Sequence, residues 1–405
     1  MSNIQNDFVN EKANDENWSV TPLKYLAKVQ TGNTPKNNKE DLFVNSDGLE
    51  WIKTDNLNFN NCITKAKQQI NRKYISEARI AQQGNILVSC IGDIGKIGYA
   101  NKEVAYNQQI NAVIFNNQIY WKFGLYFLMC QKEQHEYFSH GNVLKILNTE
   151  NQKKVKIKHP KDIKLQKDIV NKLDAIIEKV DSIIIQTKQS IDELKKYKQS
   201  LIIEVVTKGL DKNVEMKDSG IEWIGEIPKD WSIVKINKVA KIKNGKEVST
   251  ETGVIPVYGS GGVFKYTDDF LYEGESVLFG RKGTIGKPIY TNSKIWTVDT
   301  MFYTEIKNTI IAKLFYYFLT AFPWSIYETK TALPSIVGGE IEQSKILLPN
   351  KKTQQEIVNY LDEKTEAIDN IVESKYILIR EYESYKKSLI YEYVTGKKEV
   401  GEEVE

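Results

Sequence analysis

The chain has 405 residues, 41% hydrophobic and 11% aromatic, which is material for two to three domains with real cores and excludes a disordered polymer. Its formal net charge of +3 falls short of the excess that would mark a nonspecific nucleic-acid binder on charge alone. No apolar run approaches the ~20 residues of a membrane span, and the polar, Asn-rich start lacks a signal-peptide layout, so no membrane partner and a cytoplasmic location are expected.

In chain order, Trp18-Ser19-Val20 opens the first ordered segment, followed by Leu26-Ala27-Lys28-Val29 and Gly32. Short apolar runs bounded by Gly or Asn, such as Asn85-Ile86-Leu87-Val88-Ser89, predict strands, with Trp51 in the core. Gly92-Asp93-Ile94-Gly95-Lys96 is a glycine-rich loop beside one of them. It reads either as a tight hairpin turn or as a loop whose amides and lysine reach a DNA phosphate, and its spacing does not fit a nucleotide-binding P-loop. Trp121 to Leu128 predicts a buried helix. Cys62, Cys90 and Cys130 are an odd set without close spacing, read as free thiols, and His135, His140 and His159 lack ligand partners at metal spacing. No metal site is expected. Lys154-Val155-Lys156-Ile157-Lys158 alternates as a strand with three lysines on one face, either a lysine-protected edge or a surface for an anion.

From 165 to 206, Ile169, Leu173, Ile176, Val180, Ile183 and Leu201 recur mostly at steps of three and four, the seam of one long amphipathic helix that Gly209 would cap. The second half then repeats the first. Residues 166 to 209 match 354 to 397 without a gap at an offset of 188, so Ile357, Leu361, Ile368, Ile371, Ile379 and Leu389 form a second seam. Trp231-Ser232-Ile233 matches the opening Trp18 signature at an offset of 213, and Gly283-Thr284-Ile285-Gly286-Lys287 matches the glycine loop at 191. The fall between those offsets places 22 extra residues in the first segment ahead of its loop. A period this long is a tandem domain duplication, with Trp296 a second core tryptophan.

Two seams of equal length predict an intramolecular coiled coil, each helix about 66 Å long at 1.5 Å per residue. An antiparallel pairing lets a globular segment sit between the end of one helix and the start of the next. The expected fold is α+β: two tandem α/β domains separated by two long helices in an antiparallel intramolecular coiled coil, with pseudo-twofold symmetry. The expected boundaries are 1–160 for the first domain, 161–210 for its helix, 211–222 for a linker, 223–350 for the second domain, 351–397 for its helix, and 398–405 for an acidic tail.

No Gly-x-Ser-x-Gly elbow, zinc signature, dinucleotide fingerprint or Asn-Pro-Pro-Tyr block is present, so no catalytic residue is assigned. The residues alone leave open a reader of DNA that serves an enzyme, a stand-alone bipartite DNA-binding regulator or scaffold, and a nuclease with dispersed carboxylates. The absence of clustered carboxylates argues against the last.

The stretch Lys217-Asp218-Ser219-Gly220-Ile221-Glu222-Trp223-Ile224-Gly225-Glu226-Ile227-Pro228 running into Trp231 resembles the inter-domain signature of the DNA-specificity subunits of type I restriction-modification enzymes. Trp51-Ile52-Lys53-Thr54-Asp55, Tyr106-Asn107-Gln108-Gln109, Pro256-Val257-Tyr258-Gly259 and Gly280-Arg281-Lys282-Gly283 add to the resemblance, which covers nearly the whole chain. It implies two target-recognition domains, each reading one half of a split, asymmetric DNA sequence across a spacer set by the helices. It also implies partners: double-stranded DNA, two methyltransferase subunits that use S-adenosylmethionine to methylate adenine N6, and translocase-nuclease subunits that use ATP and Mg. The chain itself would bind no cofactor and catalyse nothing. For base contacts the expected residues are Lys53, Thr54, Lys96, Gln108 and Gln109 in the first domain, and Tyr258, Ser260, Lys265, Arg281 and Lys282 in the second. Gln pairs with adenine and Arg with guanine in the major groove.

Overall fold

The computed structural model describes residues 16–36, 40–57, 61–63, 65–248 and 252–401. Residues 1–15 of the expected first domain and 402–405 of the expected tail lie outside them. The chain divides into two compact units, one of residues 1–185 with 378–405 and one of residues 186–377.

Beside an antiparallel pair of Trp18–Pro22 with Lys156–Pro160, most strands of the first unit fall into two five-stranded sheets. One runs Ala27–Thr31, Ile110–Phe115, Ile86–Ser89, Ile97–Ala100, Asn61–Ile63, and the other Phe43–Val44, Gln69–Ile70, Leu49–Ile52, Val104–Tyr106, Ile80–Ala81. Successive side chains of a strand point to opposite faces. In the first sheet Ile86, Val88 and Val113 therefore face helix Trp121–Met129 and the long helices, while Leu87, Ala112 and Ile110 face Ile52, Val104 and Tyr106 of the second sheet. Burial on both faces explains why Ile86–Ser89 is a continuous apolar run rather than an alternating one.

The second unit repeats this layering with four strands per sheet. Ala240–Asn244, Met301–Ile306, Ser276–Gly280 and Ile289–Thr291 form one, and Gly262–Thr267, Ile255–Gly259, Lys294–Thr297 and Tyr272–Glu273 the other. Val277, Phe279 and Phe302 face the helical layer, and Leu278, Met301 and Tyr303 face the second sheet with Ile295. Strands Phe43–Val44 and Asn61–Ile63 lie at sheet edges of the first unit, and among the described residues the second unit has no strand at either place; Gln69–Ile70, antiparallel to Leu49–Ile52, corresponds to the hairpin strand Gly262–Thr267, antiparallel to Ile255–Gly259.

The long helices run Ile163–Lys208 and Lys351–Val394. Within the first unit Ile169, Val170, Leu173 and Ile177 pack in one cluster with Leu389, Ile390, Tyr393 and Val394. Within the second, Leu201, Ile202, Val205 and Val206 cluster with Ile357, Val358, Leu361 and Ile368. The pairing is antiparallel: Lys195 Nζ lies 2.9 Å from Tyr376 Oη, and one turn further on Lys198 Nζ lies 2.6 Å from Asp369 Oδ2. The matching ion pair in the first unit is Lys386 to Asp181, at 2.5 Å.

The seam differs in detail from the expected one. Ile183 is 37% exposed and Ile371 47% exposed, and Ile176 is half-buried, while Ile177, Ile184 and Ile191 are buried. A helix of 3.6 residues per turn drifts against a strict seven-residue count, so over a helix this long the buried stripe moves off positions that begin in register. Each helix closes on a glycine of positive φ, +75° at Gly209 and +72° at Gly396. A tryptophan covers each: Trp231 approaches Gly209 and Trp18 approaches Gly396. The opening Trp-Ser signature thus packs on the helix that ends at Gly209 in one unit and at Gly396 in the other. Part of the stretch expected as a linker is a strand, Met216–Asp218, paired antiparallel with Glu226–Pro228. Among the described residues no helix is long and apolar enough to cross a membrane.

Candidate nucleic-acid interface

Each unit carries one rim, built around a four-residue turn that joins the last strand of the second sheet to the first sheet. In the first unit the turn is Asn107 to Ile110, where Ile110 N donates to Asn107 O at 3.2 Å. In the second it is Val298 to Met301, where Met301 N donates to Val298 O at 2.9 Å. Three further backbone bonds hold each turn and the strand end before it. Asn107 N donates to Ile52 O at 3.1 Å, Cys90 N to Gln109 O at 2.8 Å, and Asn33 N to Tyr106 O at 3.3 Å. Their counterparts are Val298 N to Tyr258 O at 3.1 Å, Arg281 N to Thr300 O at 2.8 Å, and Lys246 N to Thr297 O at 2.8 Å. The close approach requires glycine. A Cβ on Gly32 would lie 2.2 Å from Asn107 O, and one on Gly245 would lie 2.0 Å from Val298 O. This frame equates Gln108 with Asp299, Gln109 with Thr300, Thr54 with Ser260, and Cys90 with Arg281.

The frame gathers most of the expected contact residues. Lys53 and Thr54 leave the end of strand Leu49–Ile52 beside the turn that carries Gln108 and Gln109. Gln108 is exposed and its Oε1 accepts from Thr34 Oγ1, whereas Gln109 Oε1 accepts from Asn107 Nδ2 at 3.1 Å and Lys53 Nζ donates to Gln68 Oε1 at 2.7 Å. In the second unit Tyr258 lies near the end of strand Ile255–Gly259 next to the turn, Ser260 follows that strand, and the backbone amides of Arg281 and Lys282 both donate to Thr300 O, at 2.8 and 3.2 Å. The Arg281 guanidinium lies 5.9 Å from the Phe302 ring centroid. Lys265 sits apart from this group, on the hairpin strand opposite Val257, with its ammonium 5.5 Å from the Phe264 ring centroid. Lys96 also stands apart, at the far side of its loop, 3.0 Å from Asp93, and that contact holds the Asp93 carboxyl below its ordinary range.

The glycine loops are hairpin turns, and three of their glycine amides are already used. Gly92 N donates to Lys145 O at 3.0 Å, Gly95 N to Ser89 O at 3.1 Å, and Gly283 N to Pro334 O at 3.1 Å. The phosphate-cradle reading therefore fails for these amides. Instead each loop stitches a neighbouring segment to the rim: Leu147 N donates to Cys90 O, and Ile336 N donates to Arg281 O. Those segments expose Val143 and Leu144 in one unit and Leu333 in the other. Trp51 and Trp296 are buried, with Trp296 Nε1 donating to Lys246 O at 2.8 Å. Among the described residues no group of three or more His, Cys, Asp or Glu is placed to hold a metal ion.

Asp299 and Thr300 are the rim residues that sequence reasoning missed. The offset of 191 that relates the glycine loops also carries Gln108-Gln109 onto Asp299-Thr300, so the signal was there to be used.

Fold and rims define the class: a duplicated α+β scaffold presenting one frame twice with different side chains on it. The profile of the type I restriction modification DNA specificity domain matches residues 15–196 and 228–378, and the chain belongs to that family. Among its relatives, the MjaIX type I restriction enzyme specificity subunit of Methanocaldococcus jannaschii is 23% identical, with 88% of each chain covered. The EcoprrI specificity subunit of Escherichia coli is 20% identical, over 87% of this chain and 88% of its own. Two solved structures share the fold. One, from work on complex assembly and conformational transition of the type I R-M system, gives a TM-score of 0.74 at 13% identity over 95% of this chain and 99% of that one. The HsdS subunit from Thermoanaerobacter tengcongensis gives 0.53 at 13% identity over 96% and 99%.

Proposed function

We propose that the chain reads an asymmetric, two-part DNA sequence and thereby directs adenine-N6 methylation, and restriction, by partner subunits of a type I restriction-modification complex. The observation that carries this reading is the rim built twice by equivalent backbone hydrogen bonds with different side chains at its tip. A shared frame meets the sugar-phosphate geometry of DNA in the same way, and the exchanged side chains meet different bases. Unequal rims then read unequal half-sites. In this reading Lys53, Thr54, Gln108 and Gln109 address one half-site, and Tyr258, Ser260, Arg281 and Lys282 the other, while Lys96 and Lys265 lie at the margins.

The long helices support two copies of one partner. The Lys386–Asp181 and Lys198–Asp369 ion pairs occupy equivalent positions, as do the exposed pairs Ile183 with Ile371 and Tyr197 with Tyr385. A surface written twice suits two methyltransferase subunits, which would bring S-adenosylmethionine, with translocase-nuclease subunits supplying ATP and Mg chemistry. The chain supplies the address and no chemistry of its own.

The test is a single-molecule methylome of cells carrying the chain with its methyltransferase, against cells lacking only the chain. A split, asymmetric N6-methyladenine motif should vanish with it. An unchanged methylome from an active methyltransferase refutes the proposal and leaves the stand-alone DNA-binding regulator.

A further inference from the structure

Asp299 stands at the second position of the Val298 to Met301 turn, exposed, between the strand end at Ser260 and the Arg281–Lys282 pair. Its counterpart Gln108 has its side-chain carbonyl engaged by Thr34 Oγ1. The position equivalent to Thr34 is Glu247, which has no donor to offer. Among the described residues no side chain or amide donates to the Asp299 carboxylate.

A bare carboxylate at the tip of a rim that meets DNA is repelled by every phosphate. It is compatible with binding only where the DNA offers it a donor. In the major groove the donors are the amino groups of cytosine and adenine. Adenine N6 lies beside N7, an acceptor that would face the second carboxylate oxygen, whereas cytosine N4 is flanked on the major-groove edge of its own base by C5–H, with no acceptor there. Resting on the function proposed above, we infer that Asp299 is a specificity-determining residue of the second unit, accepting a hydrogen bond from N4 of a cytosine in the duplex target and rejecting the other bases at that position by charge. The same frame position is filled by Gln108 in the first unit, where the amide suits adenine.

The experiment is the methylome of cells carrying the full chain and its methyltransferase, with wild type, Asp299→Ala and Asp299→Asn compared. In the wild type one position of the second half-site should be cytosine. Asp299→Ala should lower the preference for it about 10-fold or more, the size of one good base contact, and leave the first half-site unchanged, which also reports that the variant folds. Asp299→Asn, nearly isosteric, should admit adenine at that position. An unaltered motif in both variants, or weaker methylation of all sites with the preference intact, overturns the inference while the proposed function stands. If the wild-type chain directs no split motif, the proposed function itself fails.

Discussion

Arg281 has its backbone N–H tied to Thr300 O, so its position is held while its guanidinium lies along the Phe302 ring. If it pairs with a guanine, Arg281→Ala should relax one base pair of one half-site by about 1–3 kcal/mol of discrimination and leave the other half-site unaltered. Methylation competition between single-base variants of the motif measures this; equal weakening on all DNA would make Arg281 a phosphate contact. His135 is fully buried, and neither ring nitrogen has a hydrogen-bond partner among the described residues. Burial lowers its pKa from 6.5 to about 4. The unfolded chain takes up a proton that the folded chain refuses, so the neutral ring's contribution is complete above pH ~6.5 and is lost as pH falls toward 4. On the order of 3 kcal/mol is at stake. His135→Leu should therefore flatten the fall of the urea midpoint between pH 7 and pH 4.5, and an equal fall in both proteins would show that the ring does not titrate with folding.

Element by element, the duplication shows in the polar contacts that join the aromatic helix of each unit to its long helix. Gln166 Oε1 accepts from Tyr120 N at 2.7 Å and its Nε2 donates to Gln118 O and Pro160 O, at 3.0 and 2.9 Å. Gln354 repeats the arrangement with Ile311 N, Thr309 O and Pro349 O, at 2.9, 3.1 and 2.9 Å. Lys122 and Tyr126 both meet Asp174, at 2.6 Å each, and Lys313 and Tyr317 meet Asp362 at 2.5 and 2.7 Å. A buried glutamine that satisfies three backbone groups stabilises more than a surface one, because its loss strands each group without water. Gln166→Leu should lower stability by about 3 kcal/mol, against a few tenths for the exposed Gln355→Leu, as read by chemical denaturation. Similar small losses for both would mean that water replaces the amide.

For the whole molecule, the two rims lie in separate compact units and share no hydrogen-bond partner among the described residues. Changes in one should be blind to the other. The combined variant Gln108→Ala with Arg281→Ala should lose binding free energy equal to the two single losses within about 0.5 kcal/mol, measured on duplexes carrying both half-sites with the partner methyltransferase bound. A deviation of several-fold in affinity beyond that would mean that the half-sites are read cooperatively.

The repeat, the α+β class, the long paired helices and the family signature were legible in the order of residues, because each rests on periodicity or on internal identity that survives without coordinates. The rim was legible only in pieces. Tyr106-Asn107-Gln108-Gln109 and Gly280-Arg281-Lys282-Gly283 stood out, but the meeting of the first with Ile52 depends on a parallel strand pair that joins residues tens of positions apart, and that of the second with the Val298 to Met301 turn on an antiparallel pair that joins residues about twenty apart. The exposure of Ile183 was likewise decided by cumulative helix drift, and the loss of the glycine-loop amides by segments around Lys145 and Pro334 that no local pattern points to. Local sequence determines which elements form and which faces are apolar; only tertiary packing decides which donors remain free, because each is spent on a partner distant in the chain.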